Sequence, residues 1–179
     1  MKKYITLLRG INVSGQKLIK MVELKALYES MNFENVNTYI QSGNIVFQSN
    51  IGNISELTEL IEEEVEAKFG FYVKTFVRTP GDVQQLIAKN PFLLEPTTDP
   101  SGLYVCFLEN YPALEKAHML DPVGVNSEKV ILAGGEIYLY YPNGFGKSKW
   151  TNNFFEKKLG LKATTRNWKT VLKLAEMCD

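Results

Sequence analysis

The sequence predicts an α+β chain made of two βαββαβ units in tandem. Three observations carry this. The apolar residues switch between strand and helix periods in the same order twice. Turn residues, Ser42-Gly43-Asn44 and Ala133-Gly134-Gly135, separate the second and third strands of each half. A stretch rich in Pro, Thr, Asp and Gly, residues 95–102, lies between the halves.

Tyr4 to Leu8 reads as a buried strand that stops at Arg9-Gly10, and a polar loop, Ile11 to Lys17, follows. Met21, Leu24, Tyr28 and Met31 fall at helical spacing and predict a helix over 20–32. Val36 to Gln41 and Ile45 to Gln48 are the next strands. Leu57, Leu60, Ile61 and Val65 line one face of a second helix whose other face is crowded with Glu. Tyr72 to Arg78 is the fourth strand. Thr79-Pro80-Gly81-Asp82 then opens a short helix, with a Thr cap, Pro at the first helical position and Asp in the first turn. Asn90-Pro91 stops it.

The order repeats. Leu103 to Leu108 is a strand and Pro112 to Leu120 a short helix. Lys129 to Leu132 and Glu136 to Tyr141 are strands, Thr151 to Leu159 a helix, and Lys162 to Thr165 a short strand. A last helix begins near Asn167, with Trp168, Val171, Leu172 and Ala175 on one face, and Trp150 and Trp168 are expected to be buried. The expected architecture is therefore two tandem ferredoxin-like plaits with antiparallel sheets. The N-terminal unit spans 1–79, a connecting helix and linker 80–102, and the C-terminal unit 103–179. In a plait the loop after the first strand shares an edge with the hairpin between strands two and three. The loop after strand three lies at the opposite edge, beside the end of strand four.

Length and composition are those of a globular protein: 179 residues, 45% hydrophobic and 22% charged, enough for one domain or two. A formal net charge of zero gives no general attraction to nucleic acid or membrane. Charge is nevertheless segregated, with Glu56 to Glu66 acidic and Lys147 to Lys173 basic. Two cysteines, Cys106 and Cys178, make no disulfide framework and fit a reducing compartment. The apolar run after Lys2-Lys3 breaks at Arg9-Gly10, unlike a secretory leader, and no run approaches a membrane span. A cytoplasmic protein is expected, without a membrane partner.

The loop Gly10-Ile11-Asn12-Val13-Ser14-Gly15-Gln16-Lys17 sits between a strand and a helix, the context of a phosphate-cradling loop. Gln16 intrudes before Lys17 and Leu18 follows it, so this is not a P-loop. Gly146-Lys147-Ser148 ends like one, but Tyr141 stands where the first Gly is required. Two readings stand for each junction: a connection whose polar side chains satisfy their own backbone, or a cradle for an anion. On the second, the ligand-binding residues are Arg9, Asn12, Lys17, Ser42 and Asn44, joined by Lys147, Lys149 and Arg166. The ligand is a small anion such as a nucleotide or phosphorylated metabolite. Arg suits bidentate capture of phosphate or carboxylate.

Other chemistries find no motif. His118 is the one histidine, and G-x-S-x-G, C-x-x-C, H-E-x-x-H and acidic calcium loops are missing. No metal and no cofactor are expected. Acid/base catalysis leaves no signature of this kind, so an enzyme of that type stays among the alternatives. So does single-stranded RNA binding, on a stacking platform of Tyr104, Tyr138 and Tyr140, although the strands do not match the RNA-recognition consensus. Self-association through free sheet edges is a further alternative.

The stretches Leu8-Arg9-Gly10-Ile11-Asn12-Val13, Tyr39-Ile40-Gln41-Ser42-Gly43-Asn44-Ile45-Val46-Phe47, Asn90-Pro91-Phe92 and Ala163-Thr164-Thr165-Arg166-Asn167-Trp168 resemble the hallmarks of domain-of-unknown-function family 1697. Ser14 departs from the pattern, where that family commonly has a second Gly. The resemblance implies a bacterial, cytoplasmic protein of two ferredoxin-like plaits. It supplies no activity and no catalytic residues.

Overall fold

The computed structural model describes residues 1–95, 98–117, 120 and 127–179. The chain divides into two compact units, Met1–Val83 with Leu174–Asp179, and Gln84–Lys173. Gln84 to Gly102, read from sequence as helix and linker, thus group with the second unit, and the last six residues return to the first.

The first unit runs β1 (Lys2–Leu8), α1 (Met21–Ser30), β2 (Glu34–Tyr39), β3 (Asn44–Ser49), α2 (Ile54–Phe69), β4 (Thr75–Arg78), with α3 (Pro80–Ala88) beginning in it. Its sheet has the order β2-β3-β1-β4, antiparallel throughout. Asn53 caps α2, its Oδ1 accepting from the N–H groups of Ser55 at 2.9 Å and Glu56 at 3.4 Å. Leu24 and Tyr28 of α1 and Leu57, Ile61 and Val65 of α2, from the predicted stripes, are buried, joined by Leu27, while Met21, Met31 and Leu60 are partly buried. They meet one sheet face, which contributes Tyr4, Leu8, Ile45 and Phe47. Phe47 is central, with ring centroids 4.7 Å from Phe33, 5.3 Å from Tyr28 and 5.9 Å from Tyr4. Such aromatic pairs add about 0.5–1.5 kcal/mol each beyond burial. The Tyr28 hydroxyl bonds Thr6 Oγ1 at 2.9 Å, and burial pushes its phenol well above the usual range. Ile5, Leu7, Val46 and Phe76, on the alternate positions, are buried too. Burial on both faces explains why β1 reads as a continuous apolar run.

The second unit repeats the order: β5 (Leu103–Leu108), α4 (Leu114–Ala117), β6 (Lys129–Ala133), β7 (Glu136–Tyr140), α5 (Asn152–Leu159), β8 (Ala163–Asn167) and most of α6 (Trp168–Glu176). Its antiparallel sheet has the order β6-β7-β5-β8. Cys106, Leu108, Ile137, Leu139, Phe155 and Leu159 form its core. The Tyr138 hydroxyl donates to the Leu86 carbonyl at 2.9 Å and Phe92 packs on Tyr140, so the residues before β5 cover the other face. Trp168 is buried as expected, whereas Trp150 is half-buried, packed edge-on to Phe154 and stacked on Phe155. Residues 118–119 of the helix expected over 112–120, His118 among them, lie outside the described residues.

The outer strand β2 carries a bulge between Glu34 and Asn37, with Asn35 at φ 52°. A bulged, polar edge resists strand addition, which weakens the self-association alternative at that side. No helix among the described residues is long and apolar enough to cross a membrane.

Candidate functional site

The loop after β1 and the β2–β3 hairpin do meet at one edge. Leu8 N–H donates to the Gly43 carbonyl at 2.8 Å, and Leu7 pairs with Asn44 across β1 and β3. Between Arg9 and α1 the chain folds a miniature hairpin. Asn12 N–H donates to the Lys17 carbonyl at 3.2 Å and Gln16 N–H to that of Val13 at 2.9 Å. The two residues at its tip, Ser14 (φ 50°) and Gly15 (φ 74°), both hold positive φ, the mark of a type I′ turn.

The two amides expected to contact ligand have structural duties. Asn12 Nδ2 donates to the carbonyls of Ile19 and Gln41, both at 2.9 Å, and its Oδ1 accepts from Ile19 N–H at 2.8 Å. One side chain thus ties the loop both to the lead-in of α1 and to the hairpin, and both its donors are spent. Asn44, fully buried, donates from Nδ2 to the Tyr39 carbonyl at 3.1 Å and Ser42 Oγ at 2.7 Å.

The cations converge differently. Arg9 N–H donates to the Lys74 carbonyl at 2.9 Å, which sets Arg9 beside the start of β4. Lys17 Nζ donates to the Tyr72 carbonyl at 2.6 Å and lies 6.0 Å from the centre of the Phe71 ring. Lys74 Nζ is 3.2 Å from Glu62 Oε1, and Glu62 also accepts from Thr75 N–H and the Tyr72 hydroxyl, both at 2.8 Å. The edge therefore brings the Arg9 backbone, the Lys17 ammonium and the Lys74–Glu62 ion pair to the start of β4. Sequence reading misses Lys74 and Glu62. The usable signal is topological: strand four begins at the edge where strand one ends.

Ile40, in the hairpin turn, stands at φ 48° and half-exposed. A β-branched residue in the left-handed region is strained, and Asn tolerates it better. Replacing it, Ile40→Asn, is expected to raise stability by about 1 kcal/mol in urea unfolding. A loss of that size would show the isoleucine to be packed rather than displayed.

In the second unit Arg166, expected in a basic cluster with Lys147 and Lys149, is buried. Arg166 is not at a helix start, because β8 runs two residues beyond the predicted Thr165. It sits within that strand opposite Val105, buried, with Nη1 donating to Thr164 Oγ1 at 2.8 Å and the Thr165 carbonyl at 3.0 Å. Burial pulls its guanidinium down to about 10. Lys149 is exposed on the loop before α5. Lys147 lies in the 3₁₀ turn Phe145–Lys147, its side chain outside the described residues. The two helix starts are capped internally: Thr151 Oγ1 accepts from Phe154 N–H at 3.3 Å, and Asn167 Oδ1 from Thr170 N–H at 2.8 Å.

The tyrosine platform does not form. Tyr104 pairs with Leu139, and directly opposed residues share a face, so Tyr104 points away from the side of Tyr138 and Tyr140. It packs on Tyr141 and Phe145, while Tyr138 is buried.

Over its whole length the chain is similar to a solved structure, that of a conserved bacterial protein from Streptococcus pneumoniae. The two are 23% identical with a TM-score of 0.73, over 99% of this chain and 98% of that one, a likeness of fold. Comparison with the curated proteins finds no match. The model of a family described as a protein of unknown function matches residues 1–138, which takes in the miniature hairpin, the β2–β3 turn and Asn90-Pro91-Phe92, and the chain belongs to that family, DUF1697.

Proposed function

We propose that each unit is a ferredoxin-like plait and that the first binds a small anionic ligand, a nucleotide or phosphorylated metabolite, in a cytoplasmic protein. The strand orders β2-β3-β1-β4 and β6-β7-β5-β8 support the plait reading. The anion reading rests on Arg9, Lys17 and Lys74 standing on one edge, where Glu62 pairs with Lys74. Lys17 spends one of its three N–H donors on the Tyr72 carbonyl, leaving two to turn toward a ligand. Ser42, half-buried in the facing turn, adds a hydroxyl. Asn12 and Asn44 hold the frame rather than the ligand. Cys106, buried in the core, and Cys178 form no disulfide, which fits a reducing compartment.

The experiment is a thermal-shift screen of nucleotides and sugar phosphates, followed by titration of Arg9→Ala and Lys17→Ala with the best compound. Ligand at about 100 times its dissociation constant should add about 2.7 kcal/mol of stability. Arg9→Ala should bind roughly 10- to 150-fold more weakly, the equivalent of losing a charged hydrogen bond, with little change in the ligand-free melting temperature. If no compound shifts the wild type, or Arg9→Ala binds as tightly, the reading fails.

A further inference from the structure

We infer that the same edge of the first unit carries a docking surface for an acidic, amphipathic polypeptide segment of a partner protein. The inference shares Arg9 and Lys17 with the anion site but stands on different side chains. The first unit exposes seven large apolar residues, and five of them, Val13, Leu18, Val22, Ile40 and Tyr72, belong to this edge. The four aliphatic ones are 50% to 81% exposed. Hydrogen bonds hold their segments together: Asn12 to Ile19 and Gln41, and Lys17 to Tyr72. Exposed aliphatic residues are ordinary when scattered, but a cluster marks an interaction site.

The cluster is also preorganised. Val13 and Leu18 flank a hairpin whose backbone and Asn12 side chain are internally bonded, so the loop has little left to order on binding. Ile40 is held at a strained φ with its side chain in water, a combination that folding alone does not favour. Charge selects the partner. Arg9, Lys17, Lys20 and Lys74 stand among these residues against Glu23 and Glu62, which leaves the edge positive, while the outer face of α2 is acidic. A segment with carboxylates beside aliphatic side chains satisfies both features at once, and complementary charge raises both specificity and association rate. A second copy of this edge would set cation against cation.

The probe is a fluorescently labelled synthetic helix of Glu, Ala and Leu, with Leu at i, i+3, i+4 and i+7, followed by anisotropy against the full chain at low salt. Saturable binding is expected, at least about tenfold weaker when every Glu of the peptide is Gln. The double variant Leu18→Ser/Val22→Ser should lose about tenfold or more in peptide affinity while keeping its melting temperature and any nucleotide affinity found by screening. That last readout separates this inference from the anion reading. No saturable binding of the acidic peptide, or equal binding by the double variant, overturns the proposal. So does sedimentation with phosphatidylserine vesicles that the double variant abolishes, since the occupant would then be lipid.

Discussion

Gly43→Ala is expected to lose about 2 to 5 kcal/mol of unfolding free energy. Two costs add. Gly43 holds φ 72°, where an L side chain is disfavoured by about 1–2 kcal/mol. A Cβ there would also lie 2.6 Å from Leu8 Cβ and 2.9 Å from Ile11 Cδ1. Leu8 Cβ is fixed to the backbone of β1, so relief requires β1 and the turn to separate, against the bond from Leu8 N–H to the Gly43 carbonyl. Gly10→Ala is the control. Gly10 has φ 68°, but a methyl added to it would meet nothing within 4 Å, so it should lose only the conformational part, about 1–2 kcal/mol. Urea unfolding of both variants gives the difference. Equal losses would mean that the Leu8 approach relaxes freely and that the turn does not clamp β1.

Element order is legible in the sequence because its signals are local. Apolar period, the Thr79 cap and the turn glycines each lie within a few residues of what they specify. The limits of legibility are equally physical. Arg166-Asn167 looks like a polar junction, which predicts an end to β8 at Thr165. Strand pairing with Tyr104 and Val105 instead carries the strand to Asn167 and buries the guanidinium. Counting along each strand groups Tyr104, Tyr138 and Tyr140 on one face. Register decides the face, and it puts Leu139, not Tyr138, opposite Tyr104.

The candidate edge shows the same boundary between local and distant causes. Topology alone puts Arg9, Asn12 and Lys17 beside Ser42 and Asn44. What an amide does once there depends on partners far along the chain. Asn12 bonds Gln41, and Lys17 bonds Tyr72, and neither pairing has a spacing that a sequence advertises. Glu62, held by Lys74 and Thr75 on a helix whose Glu56, Glu59, Glu63 and Glu66 are exposed, is hidden in the acidic face predicted for it.

Asn12 supplies the second large effect, and a short substitution series resolves it into parts. Asn12→Ala should destabilise by about 2 to 4 kcal/mol. Three side-chain hydrogen bonds are lost at about 0.5–1.5 kcal/mol each, and Ala at φ 55° is worse than Asn. Asn12→Gly loses the same bonds but accepts the positive φ, so it should recover about 1 kcal/mol of the Ala deficit. Asn12→Asp keeps the acceptor for Ile19 N–H and replaces both donors with oxygen, turning two carbonyl acceptors against a carboxylate. It should fall near or below Ala, because the Ile19 and Gln41 carbonyls then face negative charge rather than open space. Equilibrium unfolding ranks the three, and hydrogen exchange at Ile19 and Gln16 locates the change in the miniature hairpin. The order Gly, then Ala, then Asp would establish Asn12 as the tie that presents Lys17, Val13 and Leu18 in fixed positions. If Asp equals wild type, the two donated bonds contribute nothing, and the loop is held by its backbone alone.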